Sequence, residues 1–133
     1  MIFDFRAPLI PPGSLIEAQG KVWGHEMIAV GRCPHGRELV SHNEPVTGHH
    51  LEPLDVVCNR YAIQRISPPV NQSHQAAVLS RDALLIGSGY SAPFKNCQHD
   101  ARYAYVGVAT SPTASAVLGL LIGGAVLYAA TRD

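Results

Sequence analysis

Three short runs of mixed apolar and polar residues in the first third of the chain read as strands. The first covers residues 14–18 and is followed by the turn Gln19-Gly20-Lys21. The second covers 22–31, and its alternation puts His25, Met27 and Ala29 on one face. After the connection Arg32-Cys33-Pro34-His35-Gly36, the third run, 37–42, puts Glu38, Val40 and His42 on one face. Three such runs in succession predict an antiparallel meander. Residues 43–53 hold Asn43, Pro45, Gly48, two histidines and Pro53 and read as a loop. Residues 54–66, rich in Val, Tyr and Ile, read as a further strand that Ser67-Pro68-Pro69 breaks. The period then lengthens. A helix is predicted over 74–86, opened by residues 71–73, with Ala77, Leu84 and Leu85 on one side and Gly87-Ser88-Gly89 as its stop. A second helix follows Cys97 through the run from Asp100 to Tyr105.

Two segments fall outside this pattern. Residues 1–13 contain Pro8, Pro11, Pro12 and Gly13 and form an extended arm. Residues 114–130 carry no charge and are apolar on every side. As a helix they extend about 25 Å at ~1.5 Å per residue, the low end of a bilayer span. Gly119 and Gly123 form the G-x-x-x-G pattern that permits close self-association of membrane helices. A membrane anchor is expected rather than a buried core helix, because so small a domain can hardly surround it. The expected organisation is an arm (1–13), one domain (14–111) and a hydrophobic C-terminal segment (112–133).

Composition narrows the function classes. The chain has 133 residues, with Lys+Arg 10 and Asp+Glu 10, so charge gives no argument for a nucleic-acid partner. Cys33, Cys58 and Cys97 are odd in number and widely spaced, which argues against a disulfide scaffold and for a reducing compartment. No basic region precedes an apolar run at the start, so no signal peptide is visible.

The chemistry centres on Cys97. At the first turn of a helix it faces unpaired N–H groups and the positive dipole end, which favour a thiolate and lower a pKa that starts near ~8.5. A thiol nucleophile needs a base and a group to orient the base. His25 and His42 lie on successive strands, whose facing side chains approach to about 5 Å. His35 is a rival for the third position, more loosely held in the Pro34-Gly36 turn. The plain alternatives are a space-filling cysteine and ordinary histidines. Cys33-x-His35 and Cys97-x-His99 are too tightly spaced for usual zinc motifs, and no metal or other cofactor is expected.

Taken together, the segments resemble a known family. Pro12-Gly13-Ser14-Leu15-Ile16-Glu17, Gly24-His25 and the run from Ile28 to Gly31 resemble the H box of the lecithin:retinol acyltransferase and phospholipase A/acyltransferase family. Val40-Ser41-His42 resembles its next strand. Leu84-Leu85-Ile86-Gly87, Tyr90-Ser91 and Asn96-Cys97-Gln98-His99 resemble its NC box, and Gly107-Val108-Ala109 with the apolar tail resembles its link to a C-terminal anchor. The same boxes occur in the 2A proteins of parechoviruses and kobuviruses, and the chain is most similar to the kobuvirus kind.

The resemblance implies an α+β, permuted papain-like (NlpC-like) fold with an antiparallel sheet packed on the nucleophile helix, plus the C-terminal hydrophobic helix. It implies Cys97 as nucleophile, His25 as base and His42 as orienting group, with His35 as the alternative third member and Asn96 and Gln98 supporting the oxyanion. The implied reaction is acyl transfer from a phospholipid through a Cys97 thioester to water or another acceptor. The implied setting is a membrane surface in host cytoplasm, beside host or viral replication proteins, in a protein that is not a polyprotein protease. Two positions depart from the family pattern: Glu26 stands where an aromatic is usual, and Asp100 replaces another. These departures motivate a non-enzymatic interaction module binding proteins, membrane or RNA as the main alternative. A cysteine peptidase or amidase is a further one.

Overall fold

The computed structural model describes residues 9–21, 23–90 and 96–107. Their architecture is α+β: five antiparallel strands in one sheet, with helices on its faces. The strands are β1 (Leu15–Gln19), β2 (Gly24–Arg32), β3 (Glu38–Glu44), β4 (Gly48–Pro53) and β5 (Ala62–Ser67). The helices are α1 (Leu54–Val57), α2 (Gln72–Leu85) and α3 (Cys97–Val106). The sheet order is β4-β3-β2-β1-β5.

The expected meander of the first three strands is present, but it continues. Residues 43–53 are not a loop: His42 pairs with His50 and Asn43 with His49 across the β3–β4 ladder. Gly48 opens β4 at φ +72, where a Cβ would stand 2.6 Å from the Ser88 carbonyl oxygen. That contact brings the segment after α2 against the outer strand, where the His49 N–H donates to Ser88 O at 2.8 Å. Residues 54–66 are not one strand either. Pro53 supplies no N–H and begins the short α1, and β5 then returns to pair with β1.

Alternation gives the sheet two different faces. One carries Ile16, Ala18, Met27, Ala29 and Val40, covered by Val57 of α1 and by Ile10, Leu54, Tyr61 and Ile63. The other carries Leu15 and Ile28, covered by Val78 of α2 and by Ala101 and Ala104 of α3. Each fully buried aliphatic side chain contributes roughly 1.5–3 kcal/mol. The α2 stripe differs from its expected one. Val78 and Asp82 are buried, while Leu84 is 80% exposed. Asn71 caps α2 through His74 N–H at 2.8 Å. No helix among the described residues is long and apolar enough to cross a membrane. The 114–130 segment, with Gly119 and Gly123, lies outside them.

Candidate functional site

β2 and β3 deliver His25 and His42 to the same face, and the two rings meet edge to face with His25 Nε2 2.7 Å from His42 Nδ1. His42 Nε2 in turn lies 2.9 Å from Glu52 Oε1 on β4. Glu52 also receives Arg60, at 2.6 and 3.0 Å. The Arg60 guanidinium holds the Glu52 carboxyl down at about 2, so it is ionised at neutral pH.

The direction of the chain follows from that charge. A carboxylate only accepts, so His42 Nε2 carries a hydrogen and donates it. Neutral His42 then has a bare Nδ1, which accepts from His25 Nε2–H. Neutral His25 is left with its lone pair on Nδ1. Burial pushes His25 down to about 3, with the nearby His42 and Arg60 acting the same way. Burial also lowers His42, against the opposing pull of Glu44 and Glu52. The Tyr61 ring stacks on His25 at 3.9 Å between centroids and 8° between planes, which fixes the plane of the imidazole. Tyr61 O–H donates to Glu44 at 2.7 Å.

Cys97 opens α3, as the sequence predicts. Asn96 is the N-cap, and its Oδ1 accepts from Gln98 N–H at 2.9 Å and His99 N–H at 3.1 Å. Two of the unpaired helix-start N–H groups are therefore engaged by Asn96, whose side chain acts as a cap. The β2–β3 ladder runs from Ile28 to Arg32, whereas the β1–β2 ladder continues to Gly24. The backbone N–H groups of Glu26, Gln98 and Cys97 favour the Cys97 thiolate.

The expected low thiol pKa is not found. Burial pushes the Cys97 thiol up to about 11 against these backbone donors. Desolvating a thiolate outweighs a partial helix charge.

Cys97 and His25 line one cavity of about 220 Å³, together with Gly24, Asn43, Tyr61 and Tyr90. Gln98 is buried, with its amide nitrogen 3.4 Å from where a Cβ on Gly24 would stand. Trp23, Lys21 and Pro45 complete the cavity wall. His35 takes no part: it is exposed in the turn between β2 and β3.

Both departures from the family pattern have structural partners. Glu26 accepts three hydrogen bonds from Arg102 of α3, at 2.8, 2.9 and 3.2 Å, so α3 is clamped to the strand bearing His25. Arg102 also reaches Glu17 at 3.2 Å, relieving the repulsion of a Glu17–Glu26 cross-strand pair. Asp100 is buried on the helix-covered face. It accepts from Asn43 at 2.9 Å and pairs with His49 Nδ1 at 2.6 Å. Ser41 and Asp82 complete this second network around His49.

Sequence reasoning missed Glu44, His50 and Glu52 because it took residues 43–53 for a loop, and Arg60 and Tyr61 because it took 54–66 for one strand. The available signal was the repeat of two: His42 and Glu44, then His50 and Glu52, occupy alternate positions on their strands. His42, Glu44, His50 and Glu52 place one ligand atom each within 4.8 Å of one another, an arrangement able to hold a metal ion. No family model matches the sequence, and no curated protein matches it.

Proposed function

We propose that the protein is a thiol-dependent phospholipid acyl hydrolase or acyltransferase of the H-box/NC-box kind that its motifs resemble. The observation carrying this reading is the hydrogen-bonded series Glu52–His42–His25, which ends on the cavity that Cys97 also lines. The permuted papain-like topology and the viral 2A kinship are part of the same proposal and rest on the motifs of the sequence.

The resting pair is a neutral thiol and a neutral imidazole, so proton transfer accompanies attack instead of preceding it. As the Cys97 sulfur bonds to the ester carbonyl carbon, His25 Nδ1 takes the thiol proton. His42 and Glu52 stabilise the imidazolium that forms. The carbonyl π electrons move to oxygen, where the Gln98 amide and the backbone at Gly24 are the nearest candidates for support. Collapse breaks the ester C–O bond, and His25 returns its proton to the departing lysophospholipid alkoxide. Water or an acceptor alcohol or amine then attacks the thioester, again with His25 as base.

The cavity rim favours a lipid surface over a peptide. Trp23 is 61% exposed and Val46, at the β3–β4 turn, is fully exposed. Lys21 and Trp23 belong to the same wall, a pairing suited to an anionic, apolar interface. The apolar C-terminal segment suits the same location, a membrane facing host cytoplasm, and Gly119 and Gly123 suit self-association within it.

The test is fatty-acid release from phosphatidylcholine vesicles. Wild type is expected to release it and Cys97→Ala to stop. Equal release by both overturns the proposal. The high thiol pKa favours one competing reading, a catalytically idle module that binds host or replication proteins. Under that reading Cys97→Ala leaves every function intact.

A further inference from the structure

The group of residues beneath His42 has a feature that the thiol chemistry does not use. His50 Nδ1 lies 2.9 Å from the Gly48 carbonyl oxygen. A carbonyl can only accept, so His50 Nδ1 donates to it and Nε2 is the ring nitrogen turned to the carboxylates. That nitrogen lies 3.0 Å from Glu52 Oε1 and 3.6 Å from Glu44 Oε1. One imidazole nitrogen and two carboxylate oxygens thus converge on one point, a geometry that a metal ion can share.

His42 Nε2 lies at nearly the same distances from the same two oxygens, 2.9 and 3.5 Å. Four nitrogen–oxygen edges of 2.9–3.6 Å bracket the edge of about 3.3 Å that a zinc tetrahedron has with bonds near ~2.0–2.1 Å. The surroundings match those of metal ligands. His50 is anchored through its other ring nitrogen by Gly48 O, and His42 through its own by His25. Glu44 Oε2 is held by the Tyr61 hydroxyl at 2.7 Å. The ligands stand on two paired strands, with His42 directly opposite His50.

We propose that His42, Glu44, His50 and Glu52 bind one divalent transition-metal ion, best matched to zinc, and that filling this site silences the thiol relay by reversing the hydrogen bond between His42 and His25. The binding half stands alone; the silencing half rests on the function proposed above. Arg60 is the competitor, with one guanidinium nitrogen 3.0 Å from Glu44 Oε1 and 2.6 Å from Glu52 Oε1. Its side chain is 40% exposed and can swing into water when the ion arrives.

The reversal follows from proton count. Zinc on His42 Nε2 displaces that proton to water, and the His25 Nε2 hydrogen passes across to His42 Nδ1. Neutral His42 then donates from Nδ1 to His25 Nε2. Having given up that hydrogen, His25 takes one proton from water on Nδ1, is neutral again, and has no lone pair left for the thiol.

The test is titration of metal-free full-length protein with zinc chloride by calorimetry, with cobalt chloride as the spectroscopic probe. One ion per chain is expected, with a tetrahedral cobalt absorption. His50→Ala is expected to weaken binding at least tenfold. Arg60→Gln, which removes the competing cation and no ligand, is expected to tighten it severalfold. Absence of binding overturns the site, as does equal binding by wild type, His50→Ala and Arg60→Gln. Nitrogen-15 NMR of the His25 ring reads the second half independently of lipolysis: its hydrogen is expected on Nε2 without zinc and on Nδ1 with it. An unchanged His25 tautomer in zinc-loaded protein overturns the silencing and leaves the binding site standing. Failure of the hydrolase reading alters neither readout.

Discussion

His49 and His50 are neighbours in β4 and face opposite sides of the sheet, and the two sides treat imidazoles in opposite ways. On the α1 side, His25 and His42 are held neutral by burial, and the ionised Glu52 is shared with Arg60. On the α2–α3 side, burial also works against charging His49, but the hydrogen bond to Asp100 and the nearby charge of Asp82 overcome it and hold its pKa up. The first arrangement keeps a lone pair ready near a cavity. The second is a closed ion pair that ties β4 to α3 and presents no lone pair to a substrate. The depth of burial is similar, with His25 at 4% and His49 at 2% exposure. The carboxylates in contact, and the counter-charge those carboxylates already have, make the difference.

The sharpest way to break this comparison is to remove one group from each side. Asp100→Ala leaves His49 buried without its closest counter-charge and is expected to cost about 3–5 kcal/mol of folding free energy, read from urea unfolding. His42→Gln is expected to cost only about 1 kcal/mol by the same measurement while cutting vesicle hydrolysis by about 10²–10⁴-fold. If Asp100→Ala lowers hydrolysis without lowering stability, the roles of the two networks are exchanged.

Acid and alkali are expected to act on opposite faces. His25 is neutral in the folded protein down to about 3, so an unfolded chain with a histidine near ~6.5 binds a proton that the native state refuses. Its stabilising effect is therefore complete above about 6.5 and is lost as pH falls toward 3. His49 has a raised pKa, so its contribution is complete below about 6.5 and is lost as pH rises through the folded value. Urea midpoints across pH 4–9 are expected to trace a dome. In His49→Gln the alkaline loss that begins above about 6.5 is expected to flatten. Above pH 9, Cys97 adds a further loss, because its thiol stays protonated to about 11 only when folded.

Smaller effects sharpen the link between the faces. Arg102→Met removes the clamp between α3 and β2 and leaves Glu26 buried, at an expected cost of about 2 kcal/mol in urea unfolding. Hydrolysis is expected to fall as well, since the clamp sets the height of Cys97 against β2. Trp23→Ser is the mildest: vesicle binding is expected to weaken severalfold in a flotation assay, with hydrolysis of a soluble ester unchanged. A soluble-ester rate that falls in parallel removes the interfacial role of Trp23.

Part of this arrangement was legible in the chain. The alternation of His25, Met27 and Ala29, and of Glu38, Val40 and His42, sets which side chains share a face, because a strand has no other way to place them. The antiparallel order of β1 to β3 follows from connections too short for any crossover. Asn96 before Cys97 marks a capped helix start, since a short oxygen-bearing side chain is the local solution to unpaired N–H groups. Those features are set within a few residues of one another, and the sequence alone determines them.

The rest required distant parts of the chain to meet. β4 is a strand because β3 supplies its ladder, not because Gly48, His49, His50 and Pro53 favour extended structure. Glu52 became the end of the relay, and Arg60 its counter-charge, only when that ladder set their register. The Cys97 thiol follows burial rather than its helix position, because desolvation depends on everything packed around the sulfur while the helix dipole depends on ten residues of α3. Local chemistry chose which groups stand at the site; the tertiary environment decided which of them hold protons.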